Sequence, residues 1–481
     1  MNFSDSDIQQ IKSHGLTIDA INKQLSDFKN GFPFMNIVKP AIQNDGIVIV
    51  DDSDSDKIIH EYDNYSKTHK IVKFVPASGA ATRMFKDLFE YMNTGNMNKT
   101  TQTTIENIKK FAFWDELKKY LPENFSDTDI VKNLLTDCGL NYGNTPKGLI
   151  LFHKYPDGAK TPVAEHLTES AQYATSGDNA YIHFTVSHEH KNSFQKLLDT
   201  FIPEYEKKYN LKYHIEMSEQ KPSTDTIAVN MDNTPFRNHD GSLLFRPAGH
   251  GALIENLNDI DADLIFIKNI DNVTTDELRG DTIKYKKILA GILISTQKQI
   301  FQFICDIDSN KAAPEQIHKF ITNNLGIKLK QKLSLSEYRQ ILNRPVRVCG
   351  MVKNTGAPGG GPFWTHGIND TINLQIVESS QIAPESKGIM NTAEYFNPVD
   401  LVCGVRDFQN KKFDLTQYID ANTGFISEKS QNGIMLRAME KPGLWNGAMS
   451  NWNTIFVAVP GTTFTPVKTV ADLLANAHQS H

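Results

Sequence analysis

Residues 181–218 alternate between strand-like and helix-like patterns, and this alternation constrains the fold more than any other feature of the sequence. Tyr181 to Ser187 alternates as a strand does, residues 188–209 carry apolar side chains at helical spacing, and Tyr213 to Ser218 returns to a strand pattern. Two strands joined through one helix pair in parallel with a right-handed crossover. The segment therefore predicts a β-α-β unit within an open α/β sheet.

Two other segments extend this predicted sheet. Residues 263–270 (DLIFIKNI) form a continuous apolar run, which is typical of a parallel strand buried on both faces. Residues 70–77 predict another strand, and residues 81–92 predict a helix that begins directly after it. Sheets of this kind bind ligands beyond the carboxyl ends of their strands. The predicted fold is a Rossmann-like, doubly wound α/β sheet.

The order of these patterns along the 481 residues predicts one large core with additions. Residues 1–70 are interpreted as an N-terminal helical packing segment, residues 71–475 as the α/β core and residues 476–481 as a tail. Two stretches of helical pattern interrupt the core and are predicted to be insertions: a polar one at about 93–143 and a long one at about 275–345.

The charge balance excludes one class of partner. Lys and Arg number 50 against 56 Asp and Glu, a formal net charge of -6, so the sequence lacks the basic surface that nucleic-acid binding requires. The start of the sequence, MNFSDSDIQQ, lacks the order of a signal peptide, and the apolar run Ile288 to Ile294 is too short to span a bilayer. We expect a cytoplasmic protein without a nucleic-acid or membrane partner. The oligomeric state is left open.

A run of small residues joins the strand at 70–77 to the helix predicted after it. The run, PASGAATR at 76–83, brings backbone close to whatever lies at the strand end, and the helix N-terminus behind it offers unpaired N-H groups to an anion. Phosphate is the ligand that this arrangement favours. An ordinary tight turn between strand and helix is the alternative.

A second candidate binding loop is RPAGHGAL at 246–253, which is followed by KNIDN at 268–272. The Gly-His-Gly sequence allows backbone to approach a planar or sugar group, and Asp271 at the predicted strand end offers a carboxylate to a metal ion. The alternative is that the loop is a turn and Asp271 is a cap.

These stretches, with four others in order along the chain, resemble the UDP-sugar branch of the nucleotide-sugar pyrophosphorylases. Residues 77–84 (ASGAATRM) resemble the AGGxGTRM loop of that family, and residues 459–469 (VPGTTFTPVKT), followed by DLL at 472–474, resemble VPRSRFLPVKTTSDLL. The remaining similar motifs are PKG at 146–148, SEQKP with Gln220, PAGHG at 247–251, NIDN at 269–272 and VES at 377–379. We also expect the chain to belong to an uncharacterised bacterial domain family that is distantly related to these enzymes.

The resemblance implies a fold, an activity and a cofactor. The fold would be a mixed sheet of the nucleotide-sugar transferase type, with helical insertions and without the C-terminal β-helix domain of the eukaryote-like branch. The activity would be that of a Mg²⁺-dependent nucleotidyltransferase, which forms a nucleoside diphosphate sugar and pyrophosphate from a nucleoside triphosphate and a sugar 1-phosphate.

The resemblance also implies roles for individual residues. Arg83, Lys147 and Lys468 would bind the phosphoryl groups, and Asp271 would hold Mg²⁺, with Asp400 as a second carboxylate candidate. Gln220 would contact the base, His250 the sugar and Glu378 the sugar hydroxyls. The other predicted binding residues are Ser78, Gly79, Thr82, Gly249 and Gly251.

Three departures from the family pattern keep other functions open. Ala81 replaces the third glycine of the first loop and is expected to crowd the phosphates, while Gly461 and Thr463 replace two arginines. One alternative is therefore a non-catalytic protein that binds and senses a nucleotide or nucleotide sugar. Another is a glycosyltransferase that uses a nucleotide sugar, although it would not need Arg83 and the PKG motif.

Overall fold

The structure is a computed structural model that describes residues 3–79, 81–356, 359–367 and 370–479. The helices are α1 (Asp5–Ser13), α2 (Ile18–Asn30), α3 (Asp52–Tyr65), α4 (Lys86–Thr94), α5 (Lys99–Glu106), α6 (Trp114–Leu117), α7 (Asp127–Leu135), α8 (Pro162–Tyr173), α9 (Lys191–Tyr209), α10 (Ile254–Asp259), α11 (Gly280–Asp308), α12 (Pro314–Asn324) and α13 (Leu335–Leu342).

The strands are short in several places but form one large sheet and several small ones. They are β1 (Ile37–Pro40), β2 (Ile42–Gln43), β3 (Gly46–Val48), β4 (Ile71–Pro76), β5 (His153–Tyr155), β6 (Gly158–Lys160), β7 (Thr175–Ser176), β8 (Asn179–Thr185), β9 (Lys212–Ser218), β10 (Thr226–Ile227), β11 (Phe245–Arg246), β12 (Leu264–Lys268), β13 (Ile327–Lys328), β14 (Val346–Lys353), β15 (Gly361–His366), β16 (Ile372–Val377), β17 (Tyr395–Phe396), β18 (Asp400–Gly404), β19 (Phe425–Gln431), β20 (Ile434–Glu440) and β21 (Asn453–Ala458).

The central sheet has eleven strands, in the order β2-β3-β21-β14-β18-β12-β4-β8-β7, with β9 on β8 and β17 on β14. Strands β12, β4, β8 and β9 run parallel to one another, whereas β18 runs antiparallel to both β12 and β14. The predicted mixed α/β sheet is confirmed, and so is the parallel β8-α9-β9 unit. A smaller sheet has the order β1-β15-β16-β13.

Alternate residues of the central strands pack into two different hydrophobic clusters, as the two-residue period of a strand requires. On β12, Phe266 belongs to a cluster with α11, α12 and α13, whereas Ile265 and Ile267 belong to a cluster with α10 and the smaller sheet. Both faces of the sheet are therefore covered, which explains why β4 and β12 are apolar along nearly their whole length.

Two parts of the chain are more closely integrated than the sequence predicts. The segment 1–70 is helical in part, but β1 joins the smaller sheet and β3 pairs with β21 of the central one. Helix α11, which we predicted as part of an insertion, contributes Leu289, Leu293 and Ile300 to the main cluster. Leu289 and Leu293 belong to the apolar run at 288–294, which packs against the sheet as part of the main core.

Two local predictions also need correction. The helix predicted from residue 81 begins at Lys86, because Ala81–Arg83 form a separate 3₁₀ turn. The predicted tail is anchored, since Asn476–His478 form another 3₁₀ turn in which the His478 side chain is buried. Positions 480 and 481 lie outside the described residues, as do Ala357 and Pro358 of the glycine-rich stretch at 356–361.

Among the described helices, α11 is the one that length and composition would allow to cross a membrane. Of its most apolar window, 56% is buried inside the protein. The run Ile288 to Ile294 lies within this helix, and both end residues are buried. The apolar run is therefore a buried part of a core helix.

Gly291 allows α11 to pack closely against α3. A Cβ atom at Gly291 would lie 2.4 Å from the carbonyl oxygen of Ile58. Alanine normally stabilises a helix interior relative to glycine by about 0.5–1 kcal/mol. We predict the opposite sign here: Gly291→Ala lowers the free energy of unfolding by roughly 1–3 kcal/mol, because the two helices must separate.

Chemical denaturation of the purified variant measures this change. Gly280→Ala is the matched control, since a Cβ atom there meets no atom within 4 Å. We expect the control to unfold at the same or a slightly higher denaturant concentration than the parent chain. Equal behaviour of the two variants would contradict the proposed close packing of α3 on α11.

Candidate functional site

Three charged residues that the sequence singled out lie together at the carboxyl edge of the central sheet. The ammonium Nζ of Lys147 donates to Oδ2 of Asp271 over 2.9 Å, and Nζ of Lys468 lies 3.7 Å from the same oxygen. The Lys147 and Asp271 side chains are 14% and 10% exposed, whereas the Lys468 side chain is 56% exposed. Two cations therefore face one carboxylate at a solvent-accessible edge.

The backbone explains how these distant residues meet. Strands β4 and β12 are parallel neighbours, so the loop after Pro76 and the turn that carries Asp271 leave the sheet side by side. The amide of Lys147 donates to the carbonyl of Gly79 at 3.4 Å, and the amide of Val467 donates to the carbonyl of Asp271 at 3.2 Å. Lys147 Nζ also donates to the Val467 carbonyl at 2.8 Å. The Gly79 loop, the Pro-Lys-Gly turn and the segment before Lys468 thus surround one point.

The first loop presents polar side chains to solvent. Ser78, Gly79, Thr82 and Arg83 are all exposed, and within the described chain no hydrogen bond or ion pair holds the Arg83 guanidinium. Ala80 lies outside the described residues. The expected crowding by Ala81 is wrong, because its side chain is fully buried and packs with Met84 and Phe85. Its methyl group points into the core and away from the exposed face of the loop.

The Gly-His-Gly loop is built around two close approaches of the backbone. Gly249 has a φ of 74°, in the region that favours glycine, and a Cβ atom there would lie 2.5 Å from a carboxylate oxygen of Glu440. At Gly251 a Cβ atom would lie 2.1 Å from the carbonyl oxygen of Pro442. Both glycines are therefore required by the packing of this loop against residues 440–442, whatever ligand the loop binds.

His250 is held by a turn that the sequence analysis missed. Its ring stacks on the indole of Trp445 with centroids 4.1 Å apart and planes 6° apart, and its Nδ1 accepts from the amide of Leu444 at 3.0 Å. Nε2 faces Glu378, 4.0 Å from Oε1. The sequence did contain a signal for this turn, namely the tryptophan between the two glycines of Gly443-Leu-Trp-Asn-Gly447. An aromatic side chain in a glycine-bounded turn is often part of a binding surface.

Burial shifts the pKa of both titratable side chains in this second group, and in each it disfavours the charged form. Burial lowers the pKa of His250, although about a third of the ring remains exposed. Burial also raises the pKa of Glu378, with a further contribution from the nearby carboxylate of Glu440. Neutral imidazole and a weakly acidic carboxyl group suit hydrogen bonds to hydroxyl groups better than contact with phosphate.

Gln220 lies directly after β9, again at the carboxyl edge of the parallel strands. Its side-chain amide donates to Asp225 Oδ1 at 3.5 Å. Asn256 of α10, just after the Gly-His-Gly loop, donates to the carbonyl of Glu219 at 2.8 Å. This contact joins the Gln220 segment to the helix that follows His250.

Asp400 does not lie in this accessible region. Its side chain is 2% exposed and forms an ion pair with Lys286, whose own side chain is fully buried. Asp400 lies opposite Lys268 in the register of β18 with β12. Because its charge is balanced inside the core, we correct our interpretation of Asp400 from a metal ligand to a structural ion-pair partner.

Comparisons with known proteins place the chain in a family. The family described as "Domain of unknown function (DUF4301)" matches residues 4–479. The chain belongs to this family. Among curated proteins, no sequence match was found.

Solved structures show the same fold in nucleotide-sugar pyrophosphorylases. A UDP-glucose pyrophosphorylase mutant from Leishmania major has a TM-score of 0.50 and 14% identity, over 98% of this chain and 79% of that one. A uridine diphosphate N-acetylglucosamine pyrophosphorylase from Trypanosoma brucei, in complex with an inhibitor, has a TM-score of 0.50 and 12% identity, with 98% and 79% coverage. The DUF4301 chain is thus a distant structural relative of these enzymes, and the predicted fold class is confirmed.

The ion pair of Asp400 with Lys286 makes a prediction that separates a structural role from metal binding. Asp400→Asn leaves a buried ammonium without its counter-charge, so we expect a loss of about 3–5 kcal/mol in the free energy of unfolding. The double variant Asp400→Leu with Lys286→Met removes both charges and should recover most of that loss. Thermal and denaturant unfolding measure both.

The control for this prediction is an ion pair on the surface. Asp52 pairs with Lys284 at 2.9 Å, but its side chain is 93% exposed, so Asp52→Asn should cost less than about 1 kcal/mol. If Asp400→Asn lost no more free energy of unfolding than this control, the buried ion pair would not contribute to stability as its geometry requires.

Proposed function

We propose that this DUF4301 protein is a nucleotidyltransferase that forms a nucleoside diphosphate sugar, with UDP-sugar as the first expectation, and pyrophosphate. Its substrates would be a nucleoside triphosphate and a sugar 1-phosphate. One observation carries the proposal: Lys147, Asp271 and Lys468 meet beside the exposed loop of Gly79, at the carboxyl edge of two parallel strands. Cations gathered at a strand edge suit a ligand with several phosphoryl groups.

In the proposed reaction, an oxygen of the sugar phosphate attacks the α-phosphorus of the nucleotide. A new P–O bond forms while the bond from the α-phosphorus to the bridging oxygen breaks, and pyrophosphate leaves with that oxygen and the electron pair. Such a transfer depends on positioning and on neutralising negative charge. Lys147 and Lys468 would hold the reacting phosphoryl groups, and the exposed guanidinium of Arg83 would bind the triphosphate.

Mg²⁺ would supply the remaining neutralisation of the phosphate oxygens. The donor set fits it: Asp271 contributes one carboxylate at the edge of the site, and Mg²⁺ commonly takes one or two carboxylates together with phosphate oxygens and water. The described residues contain no group of three or more His, Cys, Asp or Glu side chains that could hold a metal by themselves. Asp271 would therefore hold the metal only together with the phosphates of the bound substrates.

The second group of residues would bind the nucleoside and the sugar. The flat surface of His250 and Trp445, with Glu378 at its edge, offers an aromatic face and hydrogen-bonding atoms to a sugar. Gln220 would contact the base, as the resemblance implies. Because burial lowers the pKa of His250, its imidazole would stay neutral and would add little attraction toward the phosphates.

A non-catalytic binding protein is the second candidate. Thr463 replaces an arginine of the family motif and is 2% exposed, with its hydroxyl donating to the carbonyl of Pro460 at 2.8 Å. The position is therefore occupied by a neutral, structural side chain. Fewer positive groups would stabilise the leaving pyrophosphate, while a nucleotide sugar could still bind.

The activity is tested by pyrophosphate release. The purified protein is mixed with Mg²⁺, each of the four nucleoside triphosphates in turn and a panel of sugar 1-phosphates. We expect release with one nucleotide and a narrow set of sugars. If no pair reacts, but a nucleotide sugar raises the melting temperature, the binding protein replaces the enzyme as the better proposal.

Variants of the charged residues test the site itself. Lys468→Ala and Arg83→Ala should each lower kcat/KM by roughly 100-fold or more, since each removes a positive charge next to the reacting phosphates. Both side chains are exposed, so the melting temperature should change little. Arg339→Ala, which removes an exposed arginine paired with Asp308, is the control and should retain activity. Full activity in both site variants would place the site elsewhere.

A further inference from the structure

A closed ring of hydrogen bonds lies behind the turn of Asp271, among residues that the sequence did not single out. Its centre is Glu165 of the buried helix α8. Oε1 of Glu165 accepts from Nδ1 of His153 at 2.8 Å, and Oε2 forms an ion pair with the guanidinium of Arg279. These three side chains are at most 1% exposed.

The ring closes through two backbone segments. Arg279 Nη2 donates to the carbonyl of Thr274 at 3.0 Å, and the hydroxyl of Thr274 donates to the carbonyl of Ala477 at 2.8 Å. The next residue, His478, returns to the start, because its Nδ1 lies 2.9 Å from Nε2 of His153. The ring therefore connects α8, the segment after Asp271 and the final 3₁₀ turn.

These two segments carry the charged residues of the proposed site. Residues 465–478 form a strap that is attached to residues 271–275 at both ends. At the near end, Thr465 donates its amide to Asn272 Oδ1 at 2.9 Å, and Val467 donates to the carbonyl of Asp271. At the far end, the amide of Thr275 donates to the carbonyl of Ala477 at 3.1 Å. Lys468 lies between the two attachments.

His478 links both ends of the strap. Besides its contact with His153, it hydrogen-bonds the backbone of Thr465. When one ring nitrogen of His478 contacts the backbone of Thr465, the other faces Nε2 of His153, and the two nitrogens share one hydrogen bond. His153 in turn uses its two ring nitrogens for Glu165 and His478. The geometry of the strap thus depends on one chain of directional bonds.

Stability alone is a weak reason for such a ring. In a buried ion pair such as Glu165 with Arg279, the cost of desolvation cancels much of the electrostatic attraction. Apolar side chains of similar size often stabilise a protein to the same extent. What directional bonds provide is one fixed arrangement. Lys468 needs this, because among the described residues the one charged partner of its long and exposed side chain is Asp271, at 3.7 Å.

We propose that Glu165, His153 and His478 are positioning residues, which hold the strap so that Lys468 stays at a fixed distance from Asp271. This inference rests on the proposed nucleotidyl transfer. None of the three touches the substrates in this proposal, and they act through the backbone of residues 271–275 and 465–478.

The test uses two substitutions of one residue. His478→Phe keeps the ring stacking on His153 but removes its hydrogen bonds, whereas His478→Asn retains an acceptor near the Nδ1 position. We expect His478→Phe to lower kcat by roughly 10-fold to 100-fold, as loss of supporting hydrogen bonds does at other sites, with a smaller effect on KM for the nucleotide. His478→Asn should recover part of the kcat, even if both variants lose similar stability.

His318→Phe is the matched control. The imidazole of His318 also forms a hydrogen bond through Nδ1, to the hydroxyl of Tyr338 at 2.9 Å. His318 lies on α12, however, and takes no part in the ring of hydrogen bonds around Glu165. It should leave kcat unchanged. Equal kcat values for His478→Phe and His478→Asn would overturn the proposal, because stability and not the directional bond would then explain the loss.

Amide hydrogen exchange separates failure of this inference from failure of the proposed function. His478→Phe should accelerate exchange in peptides covering 465–475 and 271–275 and leave β8-α9-β9 unchanged, and His478→Asn should reverse part of the effect. This holds whether or not pyrophosphate is released. Unchanged exchange in the strap would overturn the positioning role. If exchange changes as expected but no pyrophosphate is released, only the proposed enzymatic function is contradicted.

Discussion

The parallel pairing of β4 with β12 is the constraint on which the candidate site depends. Since Ile71 to Phe74 pair with Leu264 to Ile267 in register, the loop of Gly79 and the turn of Asp271 leave the sheet next to each other. The amide of Ile270 donates to the carbonyl of Pro76 at 3.3 Å and continues that pairing beyond the strands. Lys147 and the strap are then fixed by bonds to these two connections, and an altered register would separate all of them.

The same sheet keeps a separate set of charges away from solvent. Lys73 and Lys268 both pair with Glu169 of α8, at 2.8 and 2.7 Å, while Lys286 pairs with Asp400. Burial lowers the pKa of Lys73 to about 7, which opposes a full positive charge on that ammonium group. Helix α8 thus supports the carboxyl edge through two carboxylates: Glu169 holds the end of β12, and Glu165 holds the turn that follows Asp271.

The sequence predicted the elements that local pattern determines and missed those that distant partners determine. The strand at 71–76, the β-α-β unit and the approximate place of Asp271 follow from periodicity and from motifs. The structural role of Asp400 does not, because its partner Lys286 is 114 residues earlier in the chain and no local pattern reveals the contact. The stack of Trp445 on His250 joins residues that are still farther apart in sequence, and the buried His478 lies within a stretch that reads as a polar tail.

The departures from the pyrophosphorylase pattern have unequal weight once the side chains are placed. Ala81 directs its methyl group into the core, so it leaves the exposed face of the loop open to phosphate. Thr463 is different: its carbonyl accepts from Asn272, next to Asp271, and its neutral side chain replaces a cation. Arg83, Lys147 and Lys468 then remain as the cations of the proposed site, against the combined charge of a triphosphate and a sugar phosphate. Nucleotidyl transfer by this chain would therefore depend more strongly on the charge of a bound divalent ion than transfer by an enzyme that has both arginines of the family motif.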